Sequence, residues 1–244
     1  MVITETADID RAVTAVLRGA LLATGQICFS IERVYVHEAI HDKFVEKLIE
    51  EAKQIELTYP DIEKGDLGPL IFHRQGDVIN AQMKDAVAKG ANVVLGGKVE
   101  ILGGGTWMRP TIITDVTHEM LIMTEETFGP VIPVMKFSTN EEAINLANDS
   151  MYGLSAAVIA GTEDEAAAIG MRINAGGISL QDTTLTKSIF RDAEKTSFKL
   201  SGNGGSRMGD ASIHRFLLKK AIMTNTAKSV VSIKALSESS WNDT

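Results

Sequence analysis

Apolar residues Ile9, Ala12, Val13, Val16, Leu17, Ala20 and Leu21 recur at spacings of three and four near the start of the chain. One amphipathic helix over 8–23 follows, with Asp8 as its N-cap and Gly25 closing the pattern. Val34-Tyr35-Val36 predicts a strand over 33–37. Phe44, Val45, Leu48, Ile49, Ala52 and Ile55 share one face of a helix over 41–57, and Pro60, Gly65, Gly68 and Pro69 then mark a loop. A third helix covers 73–89 up to Gly90, and Asn92-Val93-Val94-Leu95 makes a strand closed by Gly96-Gly97. Gly103-Gly104-Gly105 reads as a turn, because no Lys-Ser/Thr follows to make a phosphate cradle, and Thr111-Ile112-Ile113 is strand-like.

From Val131 the pattern alternates. Strands over 131–137, 155–160 and 177–180 are separated by helices over 139–148 and 162–173. Such alternation gives right-handed βαβ units, so the fold class is α/β, an open mostly parallel sheet flanked by helices. Ligands of such sheets sit beyond the carboxyl ends of the strands, which makes the segment from Gln181 to Lys199 a candidate substrate wall. A helix over 210–218, a strand over 221–226 and a polar tail over 236–244 complete the chain.

Composition narrows the function. The 244 residues hold enough apolar side chains, 44%, for one large or two small cores. A formal charge of −8 argues against nucleic acid and against anionic membranes, both of which demand basic patches. A single cysteine rules out an internal disulfide, so a reducing cytoplasm is the expected compartment. No apolar run approaches a membrane span. Five scattered histidines without metal-ligand spacing give no metal site.

That single cysteine, Cys28, lies in Gly25-Gln26-Ile27-Cys28-Phe29-Ser30, between a predicted helix and a predicted strand. A thiol in such a loop can reach a cleft, and the polar Ser30, Glu32 and Arg33 just downstream suit a thiolate nucleophile. Gly25-Gln26-x-Cys28 with Arg33 and Val36 resembles the active-site segment of the aldehyde dehydrogenase superfamily. Met123-Thr124-Glu125-Glu126-Thr127-Phe128-Gly129-Pro130-Val131 is similar to that family's cofactor-contacting segment. Tyr152-Gly153-Leu154 and Ser201-Gly202 with Gly204 fit its later blocks, so the resemblance runs from the first helix to about Thr226.

The resemblance implies NAD(P)-dependent oxidation of an aldehyde to a carboxylic acid. Cys28 would be the nucleophile, passing through a thiohemiacetal and a thioester. Glu126 would accept from the nicotinamide ribose and Phe128 would pack at the nicotinamide end of NAD or NADP. Phe29, Gln181, Asp182, Thr183 and Thr184 would line the substrate path. The chain departs from the family at 180–184 and at 191–195, where Arg191-Asp192-Ala193-Glu194-Lys195 replaces a Pro-x-Gly-Gly approach. The family's cofactor domain, its general-base glutamate and its oxyanion asparagine match nothing in these residues. The implied organisation is therefore a catalytic half over 1–218 and an oligomerisation-type strand with tail over 219–244. Implied partners are a small aldehyde, a second copy of the chain and a separate N-terminal cofactor-binding chain, and aldehyde oxidation by this chain on its own should be slow. The competing expectation is a non-oxidising domain whose thiol is only esterase-like, or a structural, oligomerising piece.

Overall fold

The computed structural model describes residues 1–183, 185, 194–205, 208–224 and 226. Its centre is a seven-stranded sheet whose strands are β1 (Val2–Ile3), β2 (Val34–His37), β3 (Asn92–Leu95), β6 (Thr111–Thr114), β7 (Val131–Phe137), β9 (Ser155–Ile159) and β10 (Gly177–Leu180). Two short ribbons supply the remaining strands: β4 (Val99–Leu102) with β5 (Gly105–Met108), and β8 (Tyr152–Gly153) with β11 (Phe198–Lys199). The order across the main sheet is β10-β9-β1-β2-β7-β6-β3, and every pairing is parallel except β3 with β6 at the edge. The expected open, mostly parallel sheet is the one found.

β1 sits in the middle of this sheet although it has only two residues. Val2 pairs with Tyr35 and Val158, Ile3 with Val36 and Ile159, and both side chains are fully buried. Helix α1 (Ile9–Leu21) leaves its carboxyl end, with the Asp8 carboxylate accepting from the Arg11 N–H. Its face of Ala12, Val13, Val16 and Ala20 packs into a core with Phe44, Val45 and Leu48 of α2 (Glu38–Ala52). Helix α3 (His73–Ala88) packs on the other side with Ile79, Met83 and Ala86, near the short α4 (Leu121–Thr124). Thr139 and Thr162 cap α5 (Asn140–Asn148) and α6 (Glu163–Gly170), each hydroxyl accepting an amide from the first turn.

Several expected boundaries move. α2 begins at Glu38 and stops at Ala52, because the chain leaves the helix well before the loop glycines. The last periodic helix stops at Gly170, and 210–218 forms a 3₁₀ helix, Asp210–Phe216. The strand expected over 221–226 is absent from the described part of that range. Ala221–Thr224 belongs to no ladder and is exposed, since a strand needs a neighbour to pair with and none is at hand among the described residues.

Candidate active site

In a parallel βαβ unit the helix starts from the carboxyl end of one strand and must return to the amino end of the next. The loop between α1 and β2 therefore lies at the amino edge of the sheet, and Cys28 with it. The turn after α1 is built by residues in left-handed conformation: Ala23, Thr24 and Gly25, with φ of 51°, 59° and 71°. At Gly25 a Cβ would lie 2.3 Å from the Gly129 carbonyl oxygen, so only glycine fits this crossing of the two segments. Gln26 fixes the loop from the other side, its amide nitrogen donating to Pro69 O at 3.1 Å and its oxygen accepting from Ile71 N at 2.8 Å.

Cys28 is exposed. It lines a cleft of about 340 Å³ with Phe29, Glu32, Arg33, Glu126, Tyr152 and Ser155, and with Met1 and Tyr35 on the floor. The cleft opens at the amino ends of β1, β2 and β9, the opposite edge from the one the strand-end rule indicates. That rule describes ligands held by loops leading from strand to helix, and Cys28 belongs to a loop leading from helix to strand.

The electrostatics of the cleft are mixed. Burial pushes the Glu32 carboxyl above its ordinary value, although the N–H groups of Phe128 and Thr127 and the Arg33 charge act against this. Partial burial pulls the Lys195 ammonium down, opposed by the Cys28 sulfur, and Nζ donates to Ser155 Oγ at 2.8 Å. The Met1 ammonium donates to Arg33 O at 2.7 Å and is lowered to about 5 by burial, with the Arg33 charge adding to the effect.

The cofactor-segment residues are clasped by the chain just after the cysteine. Arg33 donates from Nε to Met123 O and from Nη2 to Glu125 O at 3.0 Å, and its guanidinium lies over the Tyr152 ring, 5.7 Å from the centroid. Glu32 Oε1 accepts from Phe128 N at 2.8 Å and from Thr127 N at 3.1 Å. Phe128 has φ of 49°, a conformation that costs a non-glycine residue about 1–2 kcal/mol. An exposed carboxylate on the wall and a partly buried aromatic two residues on fit the ribose and nicotinamide end of a dinucleotide.

The structure thus brings Cys28, Phe29 and Glu126 to one cleft, while Phe128 is outside its lining and joins it only through the amide bonded to Glu32. Gln181, Asp182 and Thr183 are not among the described residues that line it. All three follow the carboxyl end of β10 and are spent on structure. The Gln181 side chain exchanges hydrogen bonds with Ala160 N and O, at 3.2 and 2.9 Å. Asp182 pairs with Arg18, and Thr183 Oγ1 donates to Ala15 O at 2.9 Å on α1. Thr184 lies outside the described residues. Ser155 and Tyr152 were missed as cleft residues, and Glu32 was read only as a polar group near the thiol, since a carboxylate four residues past a loop cysteine carries no sequence signal of which way it turns. Among the described residues no group of His, Cys, Asp and Glu could hold a metal ion, and no helix is long and apolar enough to cross a membrane.

Comparison with known proteins gives one answer. The profile of the aldehyde dehydrogenase family matches residues 1–222. Salicylaldehyde dehydrogenase of Pseudomonas sp. (strain C18) is 40% identical over 187 residues, 76% of this chain and 38% of that protein. Lactaldehyde dehydrogenase of Escherichia coli is 34% identical over 226 residues, 91% of this chain and 45% of that protein. Among solved structures, PutA of Anabaena variabilis, described as an aldehyde dehydrogenase, superposes with a TM-score of 0.87 at 49% identity, covering 95% of this chain and 49% of that one. Betaine aldehyde dehydrogenase of Staphylococcus aureus, solved with NAD+, superposes at 0.84 with 34% identity, covering 95% of this chain and 46% of that one. The chain spans less than half the length of the curated relatives it matches. With its profile matched across most of its length and its sheet shared with these enzymes, the chain belongs to the aldehyde dehydrogenase family.

Proposed function

We propose that this chain carries the nucleophile of an NAD(P)-dependent aldehyde oxidation, and that Cys28 is that nucleophile. The observation that carries the reading is an exposed thiol lining the same cleft as Glu126, in a chain of this family. The Cys28 thiolate adds to the aldehyde carbon, forming a C–S bond and moving the carbonyl electrons onto oxygen. The Cys28 backbone N–H is a donor for that oxygen, an interaction of about 3–4 kcal/mol where it is preorganised. A bound NAD(P)+ would supply the acceptor for the hydride that leaves as the C–H bond breaks. What remains on Cys28 is a thioester. Water adds to its carbonyl and gives up a proton to solvent, the C–S bond breaks, and the acid leaves with Cys28 restored as a thiolate.

Glu126 would hold the ribose hydroxyls and Phe128 would pack against the nicotinamide end of a bound dinucleotide. Positioning of this kind is worth several kcal/mol of barrier, and hydride transfer is slow without it. Phe29 and Tyr152 give the cleft aromatic surface, and Ser155 on its wall accepts from Lys195 Nζ at 2.8 Å. Substrates are small aldehydes.

A single-turnover experiment tests the reading. Concentrated protein is mixed with an aldehyde and NAD(P)+, and the absorbance of NAD(P)H is followed for the parent chain and for Cys28→Ser. The proposal expects dinucleotide reduction by the parent and a loss of about 10³-fold or more on removing the nucleophile. Equal reduction by Cys28→Ser, or none by the parent, overturns it.

A further inference from the structure

Two adjacent side chains behind the cysteine loop, Glu32 and Arg33, hold the segment from Met123 to Phe128 by its backbone. Arg33 takes carbonyl groups at Met123 and Glu125, and Glu32 takes the N–H groups of Thr127 and Phe128. Both amides converge on one carboxylate oxygen, Oε1. The bond to Phe128 bears on a residue in left-handed backbone, a conformation that persists only where its surroundings impose it. Gln82 Nε2 donates to Glu126 O at 3.1 Å and Gln75 Nε2 to Thr127 O at 2.7 Å, so the carbonyl groups are served from α3 while the amides depend on Glu32. The charged and titratable groups around Glu32 are Arg33, Glu126 and Tyr152.

We propose that Glu32 is a positioning residue: its carboxylate fixes the backbone of Thr127 and Phe128 so that Glu126 and Phe128 present one fixed face to the cleft that holds Cys28. The carboxylate springs from the strand of chain that runs on from the thiol, so the nucleophile loop and the dinucleotide-facing segment are set in register by one side chain. This rests on the reading of Glu126 and Phe128 as dinucleotide contacts. Glu32 acts through the backbone of its neighbours and takes no part in bond making.

Three variants test it. Glu32→Ala removes the acceptor, Glu32→Gln keeps an acceptor oxygen of the same reach, and Glu32→Asp keeps the charge but withdraws the oxygen by one methylene. The first reading needs no dinucleotide: amide hydrogen exchange over residues 124–130. Exchange at Thr127 and Phe128 should quicken by about tenfold or more in Glu32→Ala and stay near the parent rate in Glu32→Gln, because the exchanging amides lose or keep their acceptor. If Glu32→Ala does not fold, Glu32→Asp gives the same reading in the same direction. The second reading is the affinity for NAD(P)H, by nicotinamide fluorescence, beside the rate at which p-nitrophenyl acetate acylates Cys28. Affinity should fall by more than the acylation rate falls, and Glu32→Gln should restore it. Unchanged exchange in the Ala and Asp variants, or affinity and acylation falling together without rescue by Gln, overturns the proposal. A parent chain with no NAD(P)H affinity would count against the dinucleotide reading alone, and exchange would then decide the role of Glu32.

Discussion

At Gly25 and Glu32 the chain accepts local cost for the sake of the cleft. Gly25 sits at φ of 71° with a neighbouring backbone carbonyl where a side chain would be. Gly25→Ala should therefore cost about 2–4 kcal/mol, the sum of left-handed strain and a backbone clash, and should displace the thiol loop. Urea denaturation gives the stability change, and a loss below about 1 kcal/mol would show that the two segments part easily. Glu32 leads to a pH dependence. Its raised value means that the folded chain holds that proton more tightly than the unfolded chain. Its contribution is full below the ordinary carboxylate value of about 4.3 and is lost as pH rises through the raised value. Glu32→Gln has no proton to lose. The stability of Glu32→Gln relative to the parent should climb as pH rises from about 4 and level off once Glu32 is ionised. A difference that is flat with pH, measured by denaturation at several pH values, contradicts this.

Elements differ in how plainly the sequence announces them. α1 and α3 each repeat an apolar face over three or more turns, and their ends were legible to within a residue or two. β7 and β10 were legible from apolar runs bounded by turns. β1 was not, because two residues cannot show an alternation, and its place between β9 and β2 comes from long-range pairing alone. The β4–β5 hairpin was half legible: Gly103 and Gly104 marked its turn, but Arg109-Pro110 hid the strand character of Thr106-Trp107-Met108. In the site, Cys28 and Glu126 were readable from motifs. Gln181 and Thr183 follow the carboxyl end of β10, the edge that the strand-end rule indicates, whereas the loop that holds Cys28 leads from helix to strand at the other edge. The central place of β1 has a consequence. Ile3→Ala empties a fully buried position in the sheet and should cost about 2–5 kcal/mol. The melting temperature and the urea midpoint should fall together, whereas a change near zero would mean that β1 contributes little to the core.

For the whole molecule, the apolar surface near the end of the described chain stands out. Phe216, Leu217, Leu218, Ile222 and Met223 are between 58% and 99% exposed, with Lys219 and Lys220 between them. Exposed apolar runs of this kind seldom stay bare, and lysines blunt association only in part. Self-association to a homodimer is therefore expected. Light scattering coupled to gel filtration should show a mass above that of one chain, and the mass of one chain across a hundredfold dilution would refute it. The larger claim is that the folded chain exists to hold one thiol, Cys28, as a nucleophile in its cleft. The most direct measurement is peptide mapping by mass spectrometry after a brief exposure of the folded protein to p-nitrophenyl acetate and an acid quench. The account predicts one acetyl group per chain, on Cys28, absent when the protein is first unfolded in urea. Acetyl groups spread over surface lysines with Cys28 unmodified, or equal labelling of Cys28 in the folded and unfolded chain, would contradict it.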